Sequence, residues 1–345
     1  MIRKLLLLLA AGLILLVLAV AVAGWSLRTA LNQSLKLESE RLIEVVPGDT
    51  PGRLLNRLEA EGVLDGALWL RLYWRFKLPG QPLHSGEYRL VPKQTAQDLL
   101  GLWQRGEVVQ YSLTLVEGWS FRQVRAALAR QQALQQKLAD LDDRALMKLL
   151  GLPGVSPEGR FFPDTYRYVR GMSDLDLLRQ ARKRLDQVLD EEWLRRAEGL
   201  PYRKPYDALI MASMVEKETG VAEERGQIAG VFVRRLRLGM RLQTDPTVIF
   251  GLGERYNGNL TRAHLQQPTP YNTYVINGMP PTPIALAGRE AIHAALNPVA
   301  GKSLYFVARG DGSHVFSETL EQHNRAVREY QLKRRADYRS SPAPR

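Results

Sequence analysis

Ile43-Glu44-Val45-Val46-Pro47-Gly48-Asp49-Thr50 reads as a short strand that enters a turn and stops at a hydroxyl residue. Leu54, Leu55 and Leu58 follow it as an apolar stripe at helical spacing. The arrangement returns twice. Tyr88-Arg89-Leu90-Val91-Pro92-Lys93-Gln94-Thr95 precedes Leu99, Leu100 and Trp103, and Leu113-Thr114-Leu115-Val116-Glu117-Gly118-Trp119-Ser120 precedes Val124 and Leu128. When Val46, Val91 and Val116 are aligned, Thr50, Thr95 and Ser120 coincide. Each stands where an N-cap belongs, its side-chain oxygen placed to accept an orphan N–H of the first helical turn. Ser120 with Gln123 makes a capping box. Spacings of 45 and then 25 residues are too uneven for a solenoid. They describe a small α+β domain whose turns share the same physics, and they set the fold class as α+β.

Upstream, Leu5 to Gly24 is a run of twenty residues without a charged or strongly polar side chain. At about 1.5 Å per residue it spans the roughly 30 Å hydrocarbon core of a bilayer. Arg3 and Lys4 precede it, so the positive-inside rule predicts a cytoplasmic N-terminus and a body across the membrane. Ala21-Val22-Ala23 has the small-x-small form of a signal-peptide cleavage site, but the apolar run exceeds the roughly 7–15 residues usual there. The reading favours an uncleaved single-pass anchor, followed by a polar stalk over 26–41. Export makes nucleic acids and ATP poor substrates. At roughly 150 residues per domain, 345 residues predict two domains, and 45% apolar with 24% charged residues excludes wholesale disorder. The absence of cysteine excludes disulfides, thiolate nucleophiles, iron–sulfur clusters and Cys-type zinc sites. The net charge of +12 resolves into +4 over residues 1–36, +5 over 225–241 and +5 over 325–345, leaving −2 for the rest. The middle patch is either a solvated helix face or an attractor for acidic groups of a substrate.

Residues 66–78 are apolar most of the way round and predict a buried or interface helix. Residues 132–154 read as a helical connector, and Pro157 to Tyr166 as an aromatic loop lining a cleft. Helices follow at 174–198, 206–219 and 222–238. Short strands and Pro/Gly turns are expected from Arg241 onward, then a last helix at about 318–338.

The chemistry narrows by exclusion. The five histidines form no HExxH, no G-x-S-x-G occurs, and Gly301-Lys302-Ser303 lacks the first glycine of a phosphate loop because Leu296 holds that place. Carboxylates remain. Ala208, Met211, Val215 and Glu218 share one face of the helix at 206–219. An apolar neighbourhood and the negative helix end both disfavour ionised Glu218 and push its pKa upward, as a general acid requires. The competing reading is an exposed helix-end residue paired with Arg225. Glu216 lies about 200° round the helix from Glu218, too far for a close dyad. Downstream, Leu242-Gln243-Thr244-Asp245-Pro246-Thr247 reads as a strand entering a polar turn, and Pro270-Tyr271-Asn272-Thr273-Tyr274 as a polar-aromatic turn. Their amides, hydroxyls and rings suit a carbohydrate.

Met211-Ala212-Ser213-Met214-Val215-Glu216-Lys217-Glu218-Thr219, Arg241 to Ile249, Tyr271-Asn272-Thr273-Tyr274 and Gly278-Met279-Pro280-Pro281 resemble the YceG-like endolytic murein transglycosylase family. Leu115 to Gly118, Phe162 to Thr165, Gly312 to Phe316 and His323-Asn324 match as well. The resemblance implies an anchor at 1–25, a stalk at 26–41, a LysM-like domain at 42–110, a YceG-like catalytic domain at 111–338 and a disordered tail at 339–345. It implies an inner-membrane protein with a periplasmic body that cleaves nascent peptidoglycan strands internally, leaving 1,6-anhydro-N-acetylmuramic acid ends. The catalytic glutamate carried over is Glu218, with Thr244, Asp245, Tyr271 and Asn272 assigned as orienting or sugar-binding groups. Structural roles compete for Asp245, a turn starter before Pro246, and for Tyr271 as a core residue. No cofactor and no metal are expected; the expected partners are glycan strands, the membrane and peptidoglycan synthases, with no nucleic acid. The alternatives are a hydrolytic muramidase, which needs a second carboxylate such as Asp164 or Asp245 about 5–9.5 Å from Glu218, and a non-catalytic wall-binding scaffold.

Overall fold

The computed structural model describes residues 2–78, 80 and 83–332, so the tail and the end of the last expected helix lie outside the described residues. The chain forms two compact units. Unit 1 comprises Met1–Tyr111 with Ala133–Gln135 and Arg167–Met172. Its elements are α1 (Ile2–Asn32), β1 (Arg41–Val45), α2 (Pro51–Ala60), α3 (Ala67–Lys77), β2 (Gly86–Leu90) and α4 (Ala96–Arg105). α1 is long and apolar enough to cross a membrane, and its helix runs on into the first part of the expected stalk, to Asn32. β1 and β2 pair antiparallel, with Ile43 opposite Tyr88. Leu54, Leu55, Leu58, Leu99, Leu100 and Trp103 from the two stripes are all buried in one core. The caps form as the spacing predicts. Thr50 accepts from the Arg53 N–H at 3.3 Å. Thr95 accepts from the Asp98 N–H at 3.1 Å, and Asp98 Oδ2 accepts in return from the Thr95 N–H at 2.9 Å. α4 ends at Gly106, whose φ of +63° permits the left-handed turn that closes a helix.

Unit 2 comprises Ser112–Gln132, Gln136–Tyr166 and Ser173–Arg345. It contains α5 (Phe121–Ala129), α6 (Asp143–Leu149), α7 (Asp174–Leu194), α8 (Pro205–Glu218), α9 (Ala222–Arg237), α10 (Asp245–Leu252), α11 (Arg262–Gln266), α12 (Arg289–Leu296) and α13 (Leu320–Val327). β5 (Tyr305–Ala308) and β6 (His314–Ser317) form an antiparallel ribbon; β3 (Tyr111–Thr114) and β4 (Thr165–Tyr168), which pair with each other, each have residues in both units. Residues 208–215 of α8 are all buried, with the charged residues of the helix confined to its two ends, and α12, α9, α7 and α10 pack around it. Pro205 opens it where a missing N–H costs nothing, and Asp207 Oδ2 accepts from the Lys204 N–H at 3.2 Å. Ser213, fully buried inside α8, donates to the Ile210 carbonyl at 2.7 Å and accepts from the Ile284 N–H at 3.0 Å. Gly230 admits the 297–301 loop onto α9, since a β-carbon there would meet the Val299 carbonyl at 2.5 Å.

Two expectations are corrected and a third is extended. Only Asp143–Leu149 of the 132–154 connector is α-helical; turns fill most of the rest. Among the described residues, the stretch from Arg241 onward is mostly turns, as expected, with one strand pair near its end, but it also carries four short α-helices, α10 to α13. Leu242 to Thr244 is irregular, and Asp245 starts α10 because Pro246 occupies its first turn, where a fixed φ suits a helix start. The arginines of the middle basic patch also serve the fold. Arg234 donates to the Ser303 carbonyl at 2.7 Å, Arg237 to the Gly199 carbonyl at 2.8 Å and Arg241 to the Tyr274 carbonyl at 3.0 Å. These arginines hold the loops of unit 2 in place.

Candidate active site

Glu218 is the last residue of α8 and is half-buried. Ala208, Met211 and Val215 of its stripe are fully buried, so α8 delivers the carboxyl group from inside the core. Burial is the main cause that raises its pKa to about 7. The Thr244 hydroxyl opposes this by donating to Oε1, Asp245 raises the value further through its charge, and Arg235 lowers it. Oε2 accepts no hydrogen bond from the described residues.

The Thr244 hydroxyl is aimed by a buried network. Thr244 is only 2% exposed. Its N–H donates to Thr273 Oγ1 at 3.0 Å, and its carbonyl accepts from the Thr247 hydroxyl at 2.7 Å. Thr247 and Thr273 share a hydrogen bond at 2.8 Å. Thr244 stands at the N-cap position of α10, yet its side chain makes no cap hydrogen bond. Arg235 lies underneath. It donates to the carbonyls of Leu242 at 2.8 Å and Leu304 at 2.6 Å and packs over the Tyr305 ring. Burial lowers its pKa, while nearby Tyr305, Tyr274 and Glu218 oppose that shift.

A second buried network holds the residue after Glu218. The Thr219 hydroxyl donates to Glu224 Oε2 at 3.3 Å and accepts from the Val221 N–H at 3.0 Å. Glu224 in turn binds His314, taking its N–H at 2.8 Å and meeting Nδ1 at 2.7 Å. The turn that carries Glu218 is thus fixed from both sides. Glu216 points elsewhere. Its Oε2 accepts from the Gly288 N–H at 3.0 Å, ahead of α12, and Arg225 approaches Oε1 at 3.7 Å. Arg225 therefore pairs with Glu216 rather than with Glu218.

A cavity of about 890 Å³ opens beside this site. Its wall includes Lys217, adjacent in sequence to Glu218, and Pro246, adjacent to Asp245, together with Phe250, Tyr256 and Glu158. Glu158 was not singled out by sequence reasoning, although it lies in the aromatic loop expected to line a cleft. It is buried, and burial lifts its pKa to about 7 while the Phe121 N–H, shared between its oxygens at 3.0 and 3.1 Å, opposes the rise. The signal available was its position before Gly159. That glycine has φ of +68°, and a β-carbon there would strike Pro283 at 2.3 Å.

The remaining expected site residues divide. Asp245 stands next to Thr244 and accepts from the Tyr274 hydroxyl at 2.7 Å. Tyr271 packs edge-on against Phe250, a cavity residue, and its hydroxyl meets Thr282 Oγ1 at 2.9 Å. Asn272 is fully buried. Its amide donates to the carbonyls of His264, Leu265 and Gln267, the last at 2.7 Å, and its Oδ1 accepts from the Tyr274 N–H at 3.0 Å. It ties α11 to the turn and presents no free polar atom. Asp164 is exposed and its Oδ1 accepts from the adjacent Thr165 N–H at 2.7 Å. No cluster of three or more His, Asp or Glu side chains able to hold a metal occurs among the described residues.

The profile of the YceG-like family matches residues 43–329. A Bacillus subtilis protein named endolytic murein transglycosylase is 28% identical over 309 residues, covering 84% of this chain and 84% of its own length. A Streptococcus pneumoniae protein of the same name is 26% identical over 323 residues, covering 84% of this chain and 58% of the relative. Among solved structures, a yceG-like protein from Listeria monocytogenes superposes with a TM-score of 0.55 at 29% identity, covering 84% of this chain and 99% of that one.

Proposed function

This chain belongs to the YceG-like family, and from that premise we propose that it is a membrane-anchored endolytic lytic transglycosylase of peptidoglycan with Glu218 as its acid–base group. The observation that carries the reading is a carboxyl group with a pKa near 7, one oxygen held by the Thr244 hydroxyl and the other free. Such a group is protonated often enough to act as an acid and weak enough afterwards to act as a base. Protonated Glu218 donates to the glycosidic oxygen between N-acetylmuramic acid and N-acetylglucosamine. The C1–O bond breaks through an oxocarbenium-like transition state. The carboxylate, stabilised by Thr244, then takes the proton of the muramic C6 hydroxyl as its oxygen bonds to C1. The product is a 1,6-anhydro end, and Glu218 is protonated again. The attack is intramolecular, so it gains from proximity and requires no second carboxylate.

Thr244 and Asp245 serve in this reading as orienting groups, Tyr271 as a wall for sugar rings, and Asn272 as a positioning residue. The cavity beside the site would accommodate the glycan strand. β1 and β2 pairing across two intervening helices supports a LysM-like unit at 42–110. α1 supports a membrane anchor; an inner-membrane location, a periplasmic body and work beside peptidoglycan synthases belong to the same proposal. Mass spectrometry of purified murein digested by the protein tests the reaction. Anhydro ends are expected; reducing ends would replace lysis by hydrolysis, and an intact polymer with both wild type and Glu218→Gln would leave only a wall-binding scaffold.

A further inference from the structure

α3 presents two opposite faces. Ala67, Leu70 and Trp74 enter the core of unit 1. On the other side Leu68, Leu72 and Phe76 form a row one turn apart and remain 55%, 36% and 71% exposed. Helical spacing places Trp69 and Tyr73 along one border of the row and Arg71 and Arg75 along the other, and Lys77 closes the helix. α3 contains no acidic residue, and Arg75 and Lys77 form no ion pair among the described residues. A solvated helix would carry polar side chains here. This one carries an apolar strip, aromatic and cationic borders, and a net positive charge, the composition of a helix lying in a membrane interface.

Its place within unit 1 matches that composition. The turn before α3 is tied to the residue that follows α1. Gln33 Nε2 donates to the Asp65 carbonyl at 2.6 Å, and the Asp65 N–H donates back to Gln33 Oε1 at 2.8 Å. Gly66 is close enough to Ala30 that a β-carbon there would touch its methyl group at 3.5 Å. On α1, Ala23, Ser26 and Leu27 are partly covered and Ala30 is buried, and α3 and α4 are the helices that pack most on it. The apolar run ends at Gly24. Six residues separate it from Ala30, a rise of about 9 Å. The headgroup layer on each side of the hydrocarbon core is roughly 5–8 Å thick. α3 therefore begins at the outer edge of the headgroup layer, and its side chains reach about 5 Å from the helix axis, enough to enter that layer. Trp25, 71% exposed, stands at the boundary as interfacial aromatics do.

We infer that α3 is a second membrane contact: its Leu68–Leu72–Phe76 face lies in the headgroup region of the anionic phospholipid leaflet from which α1 emerges. The inference rests on α1 crossing a membrane. Attachment at two points stops unit 1 from swivelling about the end of α1. The three cations of α3 meet lipid phosphates while the apolar row enters the acyl boundary.

The absence of cysteine makes the test direct. Single-cysteine full-length variants Leu72→Cys and Phe76→Cys are labelled with an environment-sensitive fluorophore. Leu15→Cys serves as the bilayer reference and Glu44→Cys as the aqueous reference. All are reconstituted into phosphatidylethanolamine–phosphatidylglycerol vesicles and quenched by shallow or deep nitroxide lipids or by iodide. Labels at 72 and 76 are expected to be quenched severalfold more by the shallow nitroxide lipid than by iodide. Adding Leu68→Glu is expected to restore iodide access at 76. Labels at 72 and 76 that respond to iodide like Glu44→Cys, with Leu15→Cys still quenched by lipid, overturn the inference alone. Labels shielded from both quenchers place a protein or glycan on the face and overturn it equally. Iodide access at Leu15→Cys removes the membrane reading itself, and the inference with it.

Discussion

Thr95 in unit 1 and Thr244 in unit 2 hold the same position relative to their helices and act differently. Thr95 satisfies its own helix start, completing a reciprocal box with Asp98. Thr244 leaves the start of α10 without a side-chain cap and turns its hydroxyl to Glu218, 26 residues earlier in the chain. The two threonines of unit 1, Thr50 and Thr95, cap their own helices. Thr244 does not, and its hydroxyl meets a carboxyl group with a raised pKa instead. A local rule set aside beside a perturbed titratable group is the physical mark of a functional site.

The contrast is tested first where the effect is largest. Glu218→Gln keeps shape and hydrogen-bond capacity but cannot transfer a proton. Its turnover on purified murein should fall by roughly 10²–10⁴-fold, the range for a lost general acid–base. Activity within a few fold of wild type would move the chemistry to another residue. Thr244→Val should cost roughly 10–100-fold, the worth of a hydrogen bond to a charged group expressed as a rate, and Thr244→Ser should recover most of it. The valine variant also raises the Glu218 pKa, because the group that lowered it is gone, so the alkaline limb of its pH–rate profile should lie above that of wild type.

Stability supplies the next test. Unfolded Glu218 titrates near 4.5 and folded Glu218 near 7. Between these values the unfolded chain loses its proton first. The residue therefore costs the fold increasing stability as pH climbs from 4.5 to 7, and a constant amount above. Glu218→Gln escapes that cost. It should be more stable than wild type at pH 8 by on the order of 2 kcal/mol, allowing for partial exposure, and show no such gain at pH 4. Denaturant melts at both values read the difference; an equal gain at both would mean the carboxyl group is not held neutral. The smallest effect belongs to unit 1. Thr95→Ala should cost about 1 kcal/mol of stability with turnover unchanged, and a loss of turnover would show that the two caps are not so different.

Much of this was legible in sequence. The stripe of Ala208, Met211 and Val215 placed Glu218 on the buried face of α8, because helical periodicity is a property of the chain alone. Thr50 and Thr95 announced their caps for the same reason. Other features depend on tertiary partners that no window reveals. Asn272 in a polar-aromatic turn looked like a sugar ligand, but three carbonyls at the end of α11 absorb its amide. The charge of the arginines of 225–241 was legible, but their grip on distant groups, carbonyls for Arg234, Arg237 and Arg241 and Glu216 for Arg225, appears only in the fold. Glu158 was passed over because only folding brings it beside the N–H of Phe121. α10 was missed for a local reason: Pro246 was read as a turn signal when it also suits the first turn of a helix.

The central claim is that a single carboxyl group, held by Thr244 and carrying a pKa near 7, performs the reaction. The pH dependence of kcat/KM on purified murein strands tests it most directly. A general acid must be protonated in the free enzyme, so activity should descend through a single limb with its midpoint near pH 7. That limb should disappear from the residual activity of Glu218→Gln. A midpoint near 4.5, or a limb that survives in Glu218→Gln, would contradict the account.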